Sequence, residues 1–178
     1  MKSMLSFMKK IAKFEKVSFS QFLQDWQNDF TQTTEKECEE IYNAILLPSR
    51  ATKGSAGYDF FSPISFTLAP HETLKFPTGI RVKIEEGWVL KCYPRSGLGF
   101  RYRLQLNNTV GIIDSDYYFS DNEGHIFAKI TNDSNEQKTL TVEKQTAFMQ
   151  GIFVEYGITV DDAVETIRNG GFGSTTKS

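Results

Sequence analysis

Long apolar runs and cysteine pairs are scarce in this chain of 178 residues. No apolar run approaches the ~20 residues that a membrane-spanning helix needs, so we expect no transmembrane segment. Cys38 and Cys92 lie too far apart in the sequence to form a metal-binding pair. Two cysteines without such spacing are typical of reduced thiols, and we interpret the protein as cytoplasmic.

A strong net charge is also missing. The chain carries 20 Lys and Arg residues against 22 Asp and Glu, which gives a net charge of −2 and a pI near 5.8. Proteins that bind nucleic acid or anionic membranes over a broad face need a basic surface, so we expect neither partner. Any phosphate-binding site must therefore be local.

Glycine and proline are absent before Pro48. This absence favours helix, and we predict a helical N-terminal extension over residues 1–44. Apolar residues within it recur at helical spacing and form one stripe, made of Phe19, Phe22, Leu23, Trp26 and Phe30. A stripe of this kind is typical of a helix that docks on the main domain.

Further helical signals lie on both sides of this stripe. Residues 1–16 have apolar positions at helical spacing among five lysines, which predicts an amphipathic helix rather than a signal peptide. Ser18 or Ser20 is a candidate N-cap, and Thr34 followed by Glu37 has the form of a capping box. Residues 160–167 hint at one more helical turn.

Short alternating segments replace the helical pattern from about residue 45. Ile80, Val82 and Ile84 alternate with basic residues. Small or aliphatic residues recur at every second position over residues 126–130 as well. Turn-forming residues divide this region into pieces of strand length. We therefore predict an all-β domain over residues 45–167, a sandwich or barrel rather than a βαβ fold.

The C-terminal residues 168–178 combine an arginine, three glycines, one aromatic ring and several hydroxyls. Glycine lets backbone N–H groups approach anions, hydroxyls add donors, and Arg168 adds a planar charged fork. These residue types suit a phosphate chain beside a flat ring, and we predict a flexible arm that closes over a ligand. Taken alone, the composition is more typical of a disordered tail.

Four other segments carry residue types found in nucleotide sites. They are residues 54–59 (GSAGYD), 94–99 (PRSGLG), 108–117 (NTVGIIDSDY) and 150–153 (QGIF). Together with the C-terminal arm, and in this order, they resemble the five motifs of the trimeric dUTP diphosphatases (dUTPases). The resemblance covers residues 51–175. It implies an all-β, dUTPase-like distorted jelly roll or β-barrel, here with a helical N-terminal extension and a C-terminal arm.

This resemblance implies hydrolysis of dUTP to dUMP and pyrophosphate, which keeps uracil out of DNA and supplies dUMP for dTMP synthesis. Asp114 matches the carboxylate that holds and deprotonates the attacking water. Asn108 and the hairpin backbone around Gly111 match the groups that pair with the uracil edge. Tyr117 matches the ring that packs under deoxyribose and leaves no room for a 2′-hydroxyl.

The resemblance also implies which residues face the triphosphate. They are Arg95, Ser96, Gly97, Gln150, Arg168, Gly173, Ser174 and Thr175, and Phe172 covers the uracil. Mg²⁺ is implied as the cofactor, bound mainly through triphosphate oxygens and waters, and Asp59 is at most a contact through water. Members of the family are homotrimers, in which the arm of one chain covers a site built by others.

Several positions depart from the family pattern. Residues 118–123 separate Tyr117 from Gly124 and form a polar insertion. We interpret this insertion as a surface loop or as a contact site for another protein. Arg168 stands one residue closer to Phe172 than is usual in the family, so its path to the phosphates is expected to differ.

Two alternative functions remain open. One is a dUTP-gated regulatory protein that binds a repressor or another protein through residues 118–123. The other is a dCTP deaminase, which shares the fold but needs a further acid/base group, usually a Glu, at the base pocket. Residues 108–113 contain no Glu. His71 and His125 match no role in the family, and we expect both to be surface or turn residues.

Overall fold

The computed structural model describes residues 9–168 of the chain, and short β-strands make up most of its regular structure. The strands are β1 (Ala12–Lys16), β2 (Tyr58–Phe61), β3 (Phe66–Leu68), β4 (Thr73–Pro77), β5 (Ile80–Ile84), β6 (Trp88–Pro94), β7 (Leu104–Leu106), β8 (Gly111–Ile113), β9 (Phe127–Asn132), β10 (Leu140–Val142) and β11 (Ala147–Glu155). The helices are α1 (Phe19–Asp29), α2 (Glu35–Asn43), α3 (Ser96–Tyr102) and a 3₁₀ helix at Ser115–Phe119. None of these helices is long and apolar enough to cross a membrane.

Antiparallel pairing joins the strands of residues 9–168 into small sheets. The largest sheet has the strand order β2-β11-β6-β8, and a second has the order β4-β9-β7. Strand β1 pairs with β5, and β3 pairs with β10. Many of these neighbours are distant in sequence, as in jelly rolls and related β-sandwiches. The predicted all-β fold is therefore confirmed.

Aromatic and aliphatic side chains fill the core. Phe76 of β4 packs against Phe148 of β11 with 5.2 Å between ring centroids, and neither ring is exposed. In β5 the buried positions alternate at Ile80, Val82 and Ile84, as the sequence pattern predicts. Each such side chain contributes about 1.5–3 kcal/mol on burial, so the alternation determines which face of the strand turns inward.

The helices α1 and α2 dock on the β-domain through the predicted stripe. Ser18 is the N-cap of α1, and Phe22 and Trp26 are buried. The capping box of α2 is formed in both directions, because Thr34 accepts from the Glu37 N–H and the Glu37 carboxylate accepts from the Thr34 N–H. The first residue of each helix is therefore determined by the local sequence. The position of each helix on the β-domain depends instead on its buried apolar face.

The predicted helix over residues 1–16 is wrong in the part that the structure describes, because Ala12–Lys16 forms strand β1. Phe14 packs in a cluster with Tyr58, Phe60 and Phe153, at centroid distances of 5.3 to 5.7 Å. An isolated helix shorter than about 12 residues is marginal in water, whereas pairing with β5 satisfies the backbone and buries this ring. Residues 1–8 lie outside the described part, and the domain boundary near residue 44 stays a prediction.

The predicted helical turn at residues 160–167 is also wrong. This segment has no regular secondary structure, and Val160, Val164 and Ile167 are exposed. Helical stability in proteins comes mostly from packing an apolar face, and within the single chain this segment has no surface to pack on.

The insertion at residues 118–123 is anchored to the N-terminal segment. The Arg81 guanidinium lies 3.7 Å from the centre of the Tyr118 ring, and the Tyr118 hydroxyl donates to Glu15 of β1 at 2.6 Å. The Glu123 carboxylate accepts from both the backbone N–H and the hydroxyl of Ser18, at 2.8 and 2.6 Å. The insertion lies at the surface, as the interpretation as a surface loop expects, because Phe119 is exposed. It is not a free loop, however, since both of its ends are held by these contacts.

We predict that Glu123→Gln lowers the free energy of unfolding by about 1 kcal/mol near neutral pH, because it weakens the charged acceptor of two hydrogen bonds. Burial raises the pKa of Glu123, but the bonds from Ser18 and the charge of Arg81 outweigh it, and the pKa is lowered. Stability from this group is therefore full above the unfolded-state pKa of about 4.3 and is lost as the pH falls through the lower folded-state pKa.

Urea unfolding at several pH values measures this difference. Asp121→Asn, an exposed acid in the same insertion, is the matched control and should leave stability unchanged. A Glu123→Gln difference that persists undiminished at the acidic end of the series would contradict the assignment.

Candidate active site

The turn between β7 and β8 forms the predicted base-binding side of the site. The two strands belong to different sheets, because β7 pairs with β9 and β8 pairs with β6, so the turn is not a paired hairpin. This β7–β8 turn is tight, with Thr109 at a φ of +66°, and it leaves Asn108 exposed at the tip. Gly111 packs directly on Cys92 of β6, where an added Cβ would lie 3.1 Å from the Cys92 Cβ, so this close approach favours glycine.

A small cleft lies beside the β7–β8 turn. It has about 20 Å³ of room, which is enough for one water molecule. Asn108, Gly111, Phe127 and Met149 are among its lining residues. The structure thus brings the two predicted base-recognition residues, Asn108 and Gly111, to one cleft with apolar walls.

Asp114 follows β8 and precedes the 3₁₀ helix. It occupies the N-cap position of that helix but makes no capping bond with its side chain. Its carboxylate is 44% exposed and accepts from the Arg168 guanidinium at 2.5 Å. Arg168 Nε also lies 3.0 Å from an oxygen of Asp116, as an ion pair without a hydrogen bond. The Asp114 carboxylate therefore leaves the helix start uncapped and pairs with the Arg168 guanidinium instead.

Tyr117 lies one turn beyond Asp114 and is buried. Its hydroxyl donates to the backbone oxygen of His125 at 2.7 Å and accepts from the Asn122 amide at 2.9 Å. Burial raises the pKa of this hydroxyl, so it stays protonated as a donor. The Arg168 guanidinium carbon lies 5.9 Å from the centre of the ring. Asp114, Tyr117 and Arg168 are thus brought together.

The predicted phosphate-side residues gather at a different place. Strand β11 pairs with both β2 and β6, and this register sets Gln150 between Asp59 and Tyr93. Arg95 and Ser96 follow directly at the end of β6, where Ser96 starts helix α3, and both are exposed. Amide groups in the first turn of a helix have no partner within the helix, which suits an anion.

The two groups of residues lie at opposite ends of strand β6. The register Leu90↔Ile113 sets Asp114 beside the start of the strand, whereas Arg95 follows its end. Seven residues of extended chain separate these ends by roughly 20 Å. Asp114 and the phosphate-side residues of one chain are therefore too far apart to contact the same phosphorus atom.

The residues that could contact a metal ion are few in the described part. No group of three or more His, Cys, Asp or Glu side chains is gathered within residues 9–168. Asp59 is partly buried beside Gln150, and its carboxylate forms no ion pair with the described residues. A carboxylate in this state fits a contact to metal-bound water at the phosphate side.

Four predicted residues, Phe172, Gly173, Ser174 and Thr175, lie outside the described residues. Arg168 is described, and it pairs with Asp114 of its own chain. Its predicted role at the phosphates therefore stays a prediction.

His125 corrects a sequence interpretation, because it is fully buried rather than a surface or turn residue. One ring nitrogen lies 2.6 Å from an Asp25 oxygen, and the other accepts from the Gly79 N–H at 2.8 Å. The signal in the sequence was Asp25, which stands within the apolar stripe between Phe22 and Trp26. A buried carboxylate requires a partner. His71 is exposed with a φ of +70°, as expected of a turn.

A partly exposed carboxylate after the predicted base-binding turn, in an all-β chain with phosphate-binding residue types, is typical of a nucleotide hydrolase. The family model described as dUTPase matches residues 43–176. The deoxyuridine 5′-triphosphate nucleotidohydrolase of Lactococcus lactis subsp. lactis is 39% identical over 134 residues, covering 74% of this chain and 88% of the relative. The chain therefore belongs to the dUTPase family, and the prediction of a dUTP-hydrolysing enzyme is confirmed.

Solved structures are also similar. The dUTPase of Streptococcus mutans superimposes with a TM-score of 0.59 at 30% identity, over 82% of this chain and 97% of that chain. The dUTPase of Staphylococcus bacteriophage 80alpha, solved with dUPNHPP, gives a TM-score of 0.61 at 21% identity, over 95% of this chain. The second likeness supports the fold alone.

We predict that the thiol beside the cleft is unreactive. Burial raises the pKa of Cys92 to about 12, so little thiolate exists at pH 8. In a Cys38→Ser variant, which leaves Cys92 as the single thiol, reaction with a disulfide reagent should be about 1,000-fold slower than for a free thiol. The same protein in guanidinium chloride is the control and should react fully. A rate in the native protein near that of the unfolded protein would contradict the packing of Gly111 on Cys92.

Proposed function

We propose that this chain hydrolyses dUTP at the α-phosphorus, with Asp114 as the residue that holds and deprotonates the attacking water. The observation that carries the proposal is the placement of the Asp114 carboxylate. It follows the β7–β8 turn and strand β8, is partly exposed, and leaves its own helix uncapped. A carboxylate that caps nothing locally becomes available to a water molecule when Arg168 leaves it.

Positioning provides most of the effect of Asp114 in this proposal. A carboxylate is a weak base at neutral pH, so holding the water in line with the departing pyrophosphate matters more than proton affinity. Arg168 now offers Asp114 the same planar fork that it would offer a phosphate. Exchange of this carboxylate for a phosphate group would release Asp114 as the nucleotide binds.

In this proposal, the β7–β8 turn selects uracil and the 3₁₀ helix selects deoxyribose. The Asn108 amide provides a donor and an acceptor for the uracil edge. The close packing of Gly111 on Cys92 keeps the turn from moving outward to admit a thymine methyl. Tyr117 is buried and held by two hydrogen bonds, so its ring cannot move aside for a 2′-hydroxyl. Rigid walls are needed because one small group is otherwise rejected only modestly.

Arg95, Ser96, Gly97 and Gln150 form the proposed triphosphate side. Mg²⁺, when bound, neutralises triphosphate charge, and Asp59 would hold one of its waters. The residues of the C-terminal arm, Phe172 to Thr175, are proposed to cover the uracil and close around the phosphates. A cytoplasmic location, in which the buried Cys38 and Cys92 stay reduced, belongs to the same proposal.

A homotrimer with shared sites is proposed because one chain does not bring both groups together. The distance of roughly 20 Å along β6 separates Asp114 from Arg95, so a second chain must supply one of them. The segment that precedes Arg168 has no regular secondary structure and leaves Ile158, Val160 and Ile167 exposed, which is typical of a segment that contacts another subunit.

We predict that Asp114→Asn lowers kcat for dUTP at least about 1,000-fold while binding of dUTP is retained, because the amide keeps the shape but cannot take a proton. Pyrophosphate release and equilibrium binding measure the two effects. Asp121→Asn is the control and should keep full activity. Hydrolysis by Asp114→Asn at the wild-type rate would contradict the proposal.

We predict that two inactive variants complement each other. Asp114→Asn and Arg95→Ala damage different ends of β6, so in mixed trimers some sites combine an intact Asp114 with an intact Arg95. After subunit exchange by mild denaturation and refolding, activity should return to about a quarter of the wild-type value. Each variant refolded alone is the control. Activity that stays at background in the mixture would show that one chain supplies both residues.

A dUTP-gated regulatory protein is a second candidate, favoured by Phe119. This ring is 71% exposed on an insertion that is otherwise anchored, as expected of a protein contact. Phe119→Ser should remove binding of a repressor and leave dUTP hydrolysis unchanged, which a pull-down with and without a dUTP analogue can measure. Absence of any partner in both nucleotide states would end this candidate. Among its lining residues the cleft holds no Glu, so nothing favours a deaminase.

A further inference from the structure

The Asp25–His125 pair joins the N-terminal helix α1 to the β-domain. Asp25 is buried on α1 between Phe22 and Trp26, and its carboxylate also accepts from the Gln21 amide at 2.9 Å. The His125 ring is fully buried and lies 2.6 Å from the Asp25 carboxylate. The family match begins at residue 43, so α1 lies outside it.

The hydrogen bonds determine the tautomer of His125. Because the Gly79 N–H donates to Nε2 at 2.8 Å, Nε2 is an acceptor and the ring proton is on Nδ1. Nδ1–H therefore donates to Asp25. Gly79 has a φ of +75°, and an added Cβ would lie 2.3 Å from Ile45 Cδ1, so only glycine fits at the position of this donor. Both ring nitrogens are thus engaged in hydrogen bonds.

The backbone of His125 extends this constraint to the site. Its carbonyl oxygen accepts from the Tyr117 hydroxyl at 2.7 Å. Tyr117 lies on the 3₁₀ helix that follows Asp114. The His125 ring is held by Asp25 and Gly79, and the His125 carbonyl in turn holds the Tyr117 hydroxyl. A series of hydrogen bonds therefore connects helix α1 to Tyr117.

We propose that Asp25 and His125 are positioning residues, through which helix α1 holds Tyr117 rigid against the 2′-hydroxyl of a ribonucleotide. The inference rests on the proposed role of Tyr117 at the sugar. Rejection of one hydroxyl by steric exclusion requires a wall that does not yield. In this chain, part of that wall is built by a segment outside the family core.

The first test compares two acids of the same helix. Asp25→Ala should raise the ratio of kcat/KM for UTP to that for dUTP by about 10-fold, because Tyr117 gains room to shift. Asp29→Ala is the matched control. It breaks the ion pair of α1 with Lys75 at 3.0 Å, which loosens the same helix without touching His125, and it should leave the ratio unchanged. The ratio is measured on one enzyme sample, so loss of folded protein cancels.

The second test asks whether Asp25 acts through the Tyr117 hydroxyl. Tyr117→Phe removes the donor to the His125 carbonyl and should raise the UTP:dUTP ratio by a similar factor. In the double variant, Asp25→Ala should add nothing further, because residues that act through one contact are not additive. Asp25→Asn, whose amide oxygen can still accept from Nδ1–H, should restore the ratio to within about threefold of the wild type.

The outcomes separate this inference from the function on which it rests. Wild-type enzyme that prefers dUTP while Asp25→Ala keeps its ratio would overturn the positioning role and leave the proposed function standing. Equal increases in Asp25→Ala and Asp29→Ala, or additive effects in the double variant, would show that loosening of α1 alone is responsible. Equal turnover of dUTP and UTP by the wild type would overturn both.

Discussion

Strand β11 pairs with β2 on one side and β6 on the other, and this pairing determines where every functional group can be. It sets Gln150 beside Asp59 and carries Arg95 to the end of β6. Strand β8 pairs with the other edge of β6, so Asp114, which follows β8, lies beside the start of β6. Antiparallel register thus separates Asp114 from the predicted phosphate-side residues within one chain.

Assembly of chains follows from this separation. A nucleotide that contacts both groups must lie between subunits, and the exposed apolar residues of the C-terminal segment offer surface for such contacts.

The rigidity of the segment around Tyr117 has a different origin, in contacts made by the N-terminal segment. The N-terminal segment adds a strand to β5, caps α1 at Ser18 beside Glu123, and buries Asp25 against His125. A region outside the family core therefore supports Tyr117, the residue that we propose selects the sugar.

The sequence predicted the local features well because their causes are local. The Ser18 cap, the Thr34 capping box and the alternating residues of β5 depend on neighbours within a few positions. Residues 12–16 were predicted as helix because their pairing partner, β5, is remote in the chain. Helix α3 was not predicted, since Gly97 and Gly99 disfavour helix.

The residues of the site were predicted, but their contacts were not. Motif resemblance pointed to Asp114, Asn108 and Tyr117, which the structure places along one continuous segment, from the β7–β8 turn to the 3₁₀ helix. The partner of Asp25 could not be found from spacing, because His125 is brought to it by tertiary packing. The ion pair of Arg168 with Asp114 was likewise outside what a motif can indicate.

In the proposed assembly, one dUTP molecule is held by residues from more than one chain. A crystal structure with a dUTP analogue that resists hydrolysis between the α- and β-phosphates tests this arrangement. We expect Asp114 of one subunit to lie beside the α-phosphate, while Ser96 and Gln150 that contact the same triphosphate come from a different subunit. A nucleotide contacted by Asp114, Ser96 and Gln150 of a single chain would contradict it.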